Sequence, residues 1–162
     1  MSLAFRFDPR RALLLAMVGL AGLPAARAEE GARLAQAPAL PKYQQECAAC
    51  HVAYPPGLLP AASWQRLMSN LPRHFGSDAS LDAATEKEIS TWLTQNAATR
   101  KRMATPPPED RITRAAWFVR QHDEVPAETW KRASIKSAAN CSACHSRADQ
   151  GDFDEDNVRI PR

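Results

Sequence analysis

Apolar residues along this chain recur mostly three and four positions apart. In ASWQRLMSNLPRHFG, Trp64, Leu67, Met68, Leu71, His74 and Phe75 share one helical stripe. Gly76 suits the end of that segment, and Pro72 stops or kinks the helix near Leu71, so His74 is expected on the turn that follows. Residues 81–97, LDAATEKEISTWLTQNA, place Leu81, Ile89, Trp92 and Leu93 on one face. In EDRITRAAWFVRQHDEV, Asp110 is positioned to cap a helix over 110–121 whose stripe runs Ile112, Ala115, Ala116, Val119 and His122. Shorter helices are expected over 43–52, over 126–133, and across 141–145 with Ser137 as a cap. No stretch shows a convincing period of two, the signature of a strand. The pattern predicts an all-α fold.

Two segments interrupt it. RKRMATPPPED breaks the helical period with three prolines and a basic run, so 100–109 reads as a linker between an N-terminal lobe (29–99) and a C-terminal lobe (110–162). At the other end, Arg6, Arg10 and Arg11 precede the apolar run 12–23, Pro24 breaks it, and Ala26 and Ala28 supply small residues two apart. That is the layout of a secretory signal peptide, residues 1–28, too short in its apolar part to be a membrane anchor. Export to the periplasm is the expected localisation.

Charge changes the picture once the leader is set aside. The formal net charge of the full chain is +3, but residues 1–28 hold four arginines against Asp8, and the remainder carries 17 basic and 17 acidic residues. A neutral mature chain offers no case for nucleic-acid binding. The distribution is uneven: residues 100–136 hold nine Lys or Arg against five acidic residues, and residues 137–162 hold three against five.

Four cysteines in an exported chain would by default form two disulfides. Here each pair lies in a five-residue pattern ending in histidine: CAACH at 47–51 and CSACH at 141–145. Thiols at i and i+3 of a helical turn lie on one side, where they can add across the two vinyl groups of haem. The histidine at i+4 shares that face and meets the iron. Alternatives fit less well. A thioredoxin-type pair follows a strand in a βαβ unit, and none precedes Cys47 or Cys141. Paired zinc motifs sit about 15–20 residues apart, whereas these are 94 apart. Cys47, Cys50, Cys141 and Cys144 are therefore expected to anchor two haem c groups, with His51 and His145 as iron ligands.

The second ligands come from a short supply. Only His74 and His122 remain among the four histidines, and Met68 and Met103 are the methionines beyond the leader. After His145 the chain reads SRADQGDFDEDNVRIPR, with no His, Met, Cys or Lys. The C-terminal haem must take its ligand from upstream or go without. His74 lies 23 residues after His51, and His122 lies 23 residues before His145, which suggests those two pairs. Met68 shares the His74 stripe and is the rival ligand, although core packing is its simpler role. The tail DFDED matches the first three positions of a calcium loop, but Asn157 replaces the required glycine, and the segment reads as a solvated acidic tail. Four tryptophans and five phenylalanines are a modest apolar supply, so buried porphyrins would complete the core and the apoprotein should fold poorly.

Taken together, CAACHVAYPPGLLP, SWQRLM…RHFGSDASLD, RITRAAWF…H and ANCSACH…GDFDEDNVRIPR resemble the bacterial dihaem cytochrome c proteins of the DHC type, redox partners of the oxygen-binding sphaeroides haem protein. The resemblance spans nearly all of the chain after the leader. It implies an N-terminal lobe like a small class I cytochrome c and bis-histidine iron at both sites, held by His51, His74, His122 and His145. It also implies transient electron donation to an oxygen-binding haem protein, with supply from a membrane-bound cytochrome. Six-coordinate iron leaves no open position for substrate, so an electron carrier is expected rather than an enzyme. A peroxidase-like enzyme with one open haem is the competing class. The small dihaem subunit of a periplasmic nitrate reductase is a second carrier reading, although its motifs lie closer together.

Overall fold

A computed structural model describes residues 37–162. The expected signal peptide and residues 29–36 lie outside this range. The described residues hold four α-helices and a series of single 3-10 turns, with no strand among them. The helices are α1 (Pro41–Cys47), α2 (Ala61–Met68), α3 (Ala83–Gln95) and α4 (Ala116–Gln121).

Local chemistry explains most of their limits. Pro41 opens α1 at a position whose N–H would have no helical partner in any case. Asp82 caps α3, its carboxylate accepting from the amides of Ala84 and Thr85 at 3.0 Å each. The helix expected over 81–97 is thus present with its ends trimmed. The stripe around Trp64 forms α2, which stops at Met68, and a 3-10 turn (Leu71–Arg73) carries Pro72. His74 sits directly after that turn, and Gly76 takes a φ of +97° to let the chain reverse.

Two apolar clusters organise the molecule. In the first, α1, α2 and α3 bury Tyr43, Trp64, Met68, Leu71, Ile89 and Leu93 together with Ala53 and Leu59. Met68 thus packs in this core. In the second, Leu58, Met103, Ala115, Trp117 and Phe118 pack together, bordered by Trp130. Adjacent residues Leu58 and Leu59 feed different clusters, so the loop after the first motif is the seam between them. The proline-rich segment does not cross open space: a 3-10 turn (Lys101–Met103) drives Met103 into the second cluster, 6% exposed.

Four expectations need correction. The helix predicted over 110–121 begins only at Ala116, after a separate 3-10 turn (Ile112–Arg114). Asp110 does not cap it. Instead Arg66 of α2 grips the Asp110 carboxylate in a bidentate pair, Nε to Oδ2 at 2.8 Å and a terminal nitrogen to Oδ1 at 2.6 Å. A planar fork that fits both oxygens outcompetes a cap, and Glu109 and Asp110 take φ of 57° and 55° to reach it. The segment 126–133 holds only the 3-10 turn Thr129–Lys131. Helix 43–52 ends at Cys47, and the second motif carries the 3-10 turn Cys141–Ala143 rather than a helix. Ser137 accepts from the Ala139 amide in a local turn.

Candidate haem sites

Each Cys-x-x-Cys-His motif needs only one turn of chain to align its three side chains, and one turn is what each has. In the first, α1 closes with the amide of Ala48 on the carbonyl of Gln44, and His51 follows in the turn beyond. In the second, the amide of His145 donates to the Cys141 carbonyl at 2.8 Å, an i to i−4 bond that returns the histidine over the first cysteine.

The four cysteines are not joined to one another. Burial pushes the Cys47 thiol up to about 11, and the charge of Glu46 adds to it. Burial likewise pushes Cys141 up to about 11, and it raises Cys144 as well.

The histidines come together in two pairs. The rings of His51 and His74 have centres 6.1 Å apart with planes 25° from parallel, and those of His122 and His145 are 6.2 Å apart and crossed at 68°. Two imidazoles bound on opposite sides of one metal ion should have centres about 6.2–6.4 Å apart, from about 2.0–2.1 Å per metal–nitrogen bond plus about 1.1 Å from nitrogen to ring centre. The pair at 6.2 Å lies at the short end of that range and the pair at 6.1 Å just below it. The residues present fit a six-coordinate iron in each place.

Each pair also has one anchored imidazole and one less constrained. His51 Nδ1 lies 2.7 Å from the Val52 carbonyl, and His122 Nδ1 lies 2.8 Å from the Phe118 carbonyl. A ring held through Nδ1 presents its other nitrogen outward, the usual arrangement of a ligating histidine. In His74 and His145, Nδ1 is buried without a protein partner. Burial lowers the pKa of both, and the facing histidine of each pair lowers it further, while Asp152 opposes this at His145. Both shifts favour the neutral imidazole, the form able to bind a metal.

Aromatic rings flank every imidazole; of these the sequence pattern had placed only Phe75 with its histidine. Tyr54 stacks on His51 at 4.9 Å, Phe75 meets His74 edge-on at 4.9 Å, and Phe153 meets His145 at 5.4 Å. Phe118 stacks on His122 at 4.0 Å with planes 18° apart, and Trp130 stands 5.9 Å away. The predicted stripe on α4 had chosen Val119, which is 57% exposed, over Phe118, which is 7% exposed. The i to i+4 spacing of Phe118 and His122 was the available signal.

Nor is the acidic tail simply solvated. Asp152 accepts from the Asp154 amide and the Asn157 side chain, and Asp154 accepts from the Asp156 amide, so the carboxylates fold the tail on itself. The Arg159 amide then donates to the Cys144 carbonyl at 2.8 Å, and the Ser146 hydroxyl donates to Asn157 at 3.0 Å. The segment returns across the second motif. No metal-binding group of three or more His, Cys, Asp or Glu forms there or elsewhere among the described residues.

A family model for dihaem cytochrome c matches residues 43–153, a span that runs from α1 through both motifs to Phe153. The chain belongs to the dihaem cytochrome c family. It therefore carries two haem c groups, and the cysteine and histidine content matches that number. Among solved structures, DHC purified from Rhodobacter sphaeroides is 44% identical, covering 72% of this chain and 98% of its own, with a TM-score of 0.62. A diheme cytochrome c from Shewanella baltica is 41% identical, covering 74% and 91%, with a TM-score of 0.65. A second Rhodobacter sphaeroides structure is 44% identical over 74% of this chain, with a TM-score of 0.65. No curated protein matches the chain. No helix of the described residues is long and apolar enough to cross a membrane.

Proposed function

We propose that this dihaem cytochrome c is a periplasmic electron carrier in which every iron is held by two histidines. His51 and His74 hold the haem anchored by Cys47 and Cys50, and His122 and His145 hold the haem anchored by Cys141 and Cys144. The observation that carries the reading is the matched ring separation of 6.1 and 6.2 Å in the two pairs.

When bound, each haem supplies a one-electron ferric–ferrous couple. The chain's own task would be to supply two imidazoles to each haem, His51 with His74 and His122 with His145, and to hold them unchanged across that couple. His51 and His122 are aimed by backbone carbonyls, which fixes their tautomer and ring direction. Phe118, stacked at 4.0 Å, holds the His122 imidazole plane against rotation. Two imidazoles rather than imidazole and methionine keep the potentials low. With no ligand exchange on reduction, little rearrangement opposes electron transfer.

The proposed partners are an oxygen-binding haem protein as acceptor and a membrane-bound cytochrome as donor. Unequal charge along the chain, basic over 100–136 and acidic over 137–162, suits weak and transient docking. The experiment is spectroscopic. Intact mass of the exported protein should show two covalent haems, and the optical spectrum should be low-spin in both oxidation states. A ferrous high-spin fraction that binds carbon monoxide readily in the native protein would overturn the carrier reading in favour of an enzyme with an open site.

A further inference from the structure

Tyr54 is one of the residues at which the two haem regions touch. Its ring lies 4.9 Å from that of His51, with planes 25° apart. Its hydroxyl donates to the Ala139 carbonyl at 2.7 Å, a bond spanning 85 positions that ends two residues before Cys141. The buried Tyr43 hydroxyl donates to the Tyr54 carbonyl at 2.7 Å and fixes its backbone, and the side chain packs against both apolar clusters.

One side chain thus contacts the iron-binding imidazole of the first motif and the Ala139 carbonyl, two residues before the first cysteine of the second. Electron tunnelling weakens exponentially with distance, and it weakens less through stacked rings and hydrogen bonds than across gaps or solvent. We propose that Tyr54 is the coupling bridge between the two haems, linking the His51 imidazole to the Ala139 carbonyl and so to the short backbone run into Cys141. This rests on the assignment of His51 as ligand and Cys141 as anchor. In the exchange, one electron leaves the ferrous iron of one site and reduces the ferric iron of the other. No bond forms or breaks, no proton moves, and Tyr54 stays a neutral phenol.

The test uses the intact dihaem protein and two variants. Tyr54→Phe keeps the ring over His51 and loses the hydroxyl bond, and Tyr54→Leu loses both. Haem mass and the low-spin spectrum of the unaltered protein are measured first, and a single haem or an open iron there refutes the ligation reading rather than the bridge. Inter-haem exchange is then read from the broadening of haem methyl resonances in half-reduced samples. Tyr54→Leu should slow exchange at least about tenfold, equivalent to about 1.4 kcal/mol in effective barrier, and Tyr54→Phe by a smaller factor, with low-spin spectra retained. An unchanged rate in Tyr54→Leu with both haems low-spin overturns the proposal. Should Tyr54→Leu fail to fold, Tyr54→Phe decides alone: a slowed rate supports the bridge and an unaltered one refutes it.

Discussion

Replacing Phe118 tests how the second site is held. Its ring is 7% exposed, stacks on His122 at 4.0 Å, and lies 6.0 Å from Trp117 and 6.4 Å from Trp130. Phe118→Ala removes a buried ring at the centre of the second cluster, a change that costs about 3–5 kcal/mol. Phe118→Leu keeps most of the volume and loses chiefly the ring-on-ring term, about 0.5–1.5 kcal/mol. Guanidinium unfolding followed by far-UV circular dichroism should resolve the two, because about 4 kcal/mol lowers the midpoint by about 1 M at a typical slope for a small protein. The optical effect should be local. The His122 bond to the Phe118 carbonyl is a backbone bond and survives either change, so the imidazole is loosened rather than lost. The haem at Cys141 and Cys144 should gain some high-spin character while the other stays low-spin. If Phe118→Ala costs under about 1 kcal/mol, or if both haems respond alike, Phe118 is not the support that the geometry indicates.

Ligand exchange gives a sharper local test: His122→Met should raise the potential of the Cys141/Cys144 haem alone, and His74→Met that of the Cys47/Cys50 haem alone, because methionine favours ferrous iron. A spectropotentiometric titration in which His122→Met moves the other haem would show that the ligands pair differently. Leu93, 1% exposed in the first cluster, should cost about 2–5 kcal/mol when changed to Ala, measured by the same unfolding. The Asp82 carboxyl is held below its ordinary 3.8 by hydrogen bonds from Thr85, and that of Asp110 by Arg66. Since both folded values are depressed, their stabilisation is present above the ordinary carboxylate value and is lost as pH falls through the folded values. Acid unfolding should therefore begin below about pH 4, and Asp110→Asn should flatten that dependence; an identical acid profile in Asp110→Asn would remove Arg66 and Asp110 from the account.

The chemistry that sequence alone determined is the chemistry that closes within a turn or two of chain. Cys-x-x-Cys-His needs neighbours at i+3 and i+4, so haem attachment was readable twice. Counting did as much: four histidines for two irons, and a tail without His, Met, Cys or Lys, narrowed the ligand choices before any fold was known. The break at Pro72 was equally local. Where tertiary contacts compete with local propensity, the reading changed. Asp110 had the right type and place for a cap, yet Arg66, 44 positions away, offered a two-point charge-assisted bond that a backbone amide cannot match. The start of α4 then shifted to Ala116, and with it the buried face turned from Val119 to Phe118. Tyr54 on the Ala139 carbonyl and Arg159 of the tail on the Cys144 carbonyl are bonds across 85 and 15 positions, set by how the clusters pack. Periodicity describes only one element at a time. Which ring faces which imidazole depends on how two elements approach, and that approach is decided by the packing of the whole core.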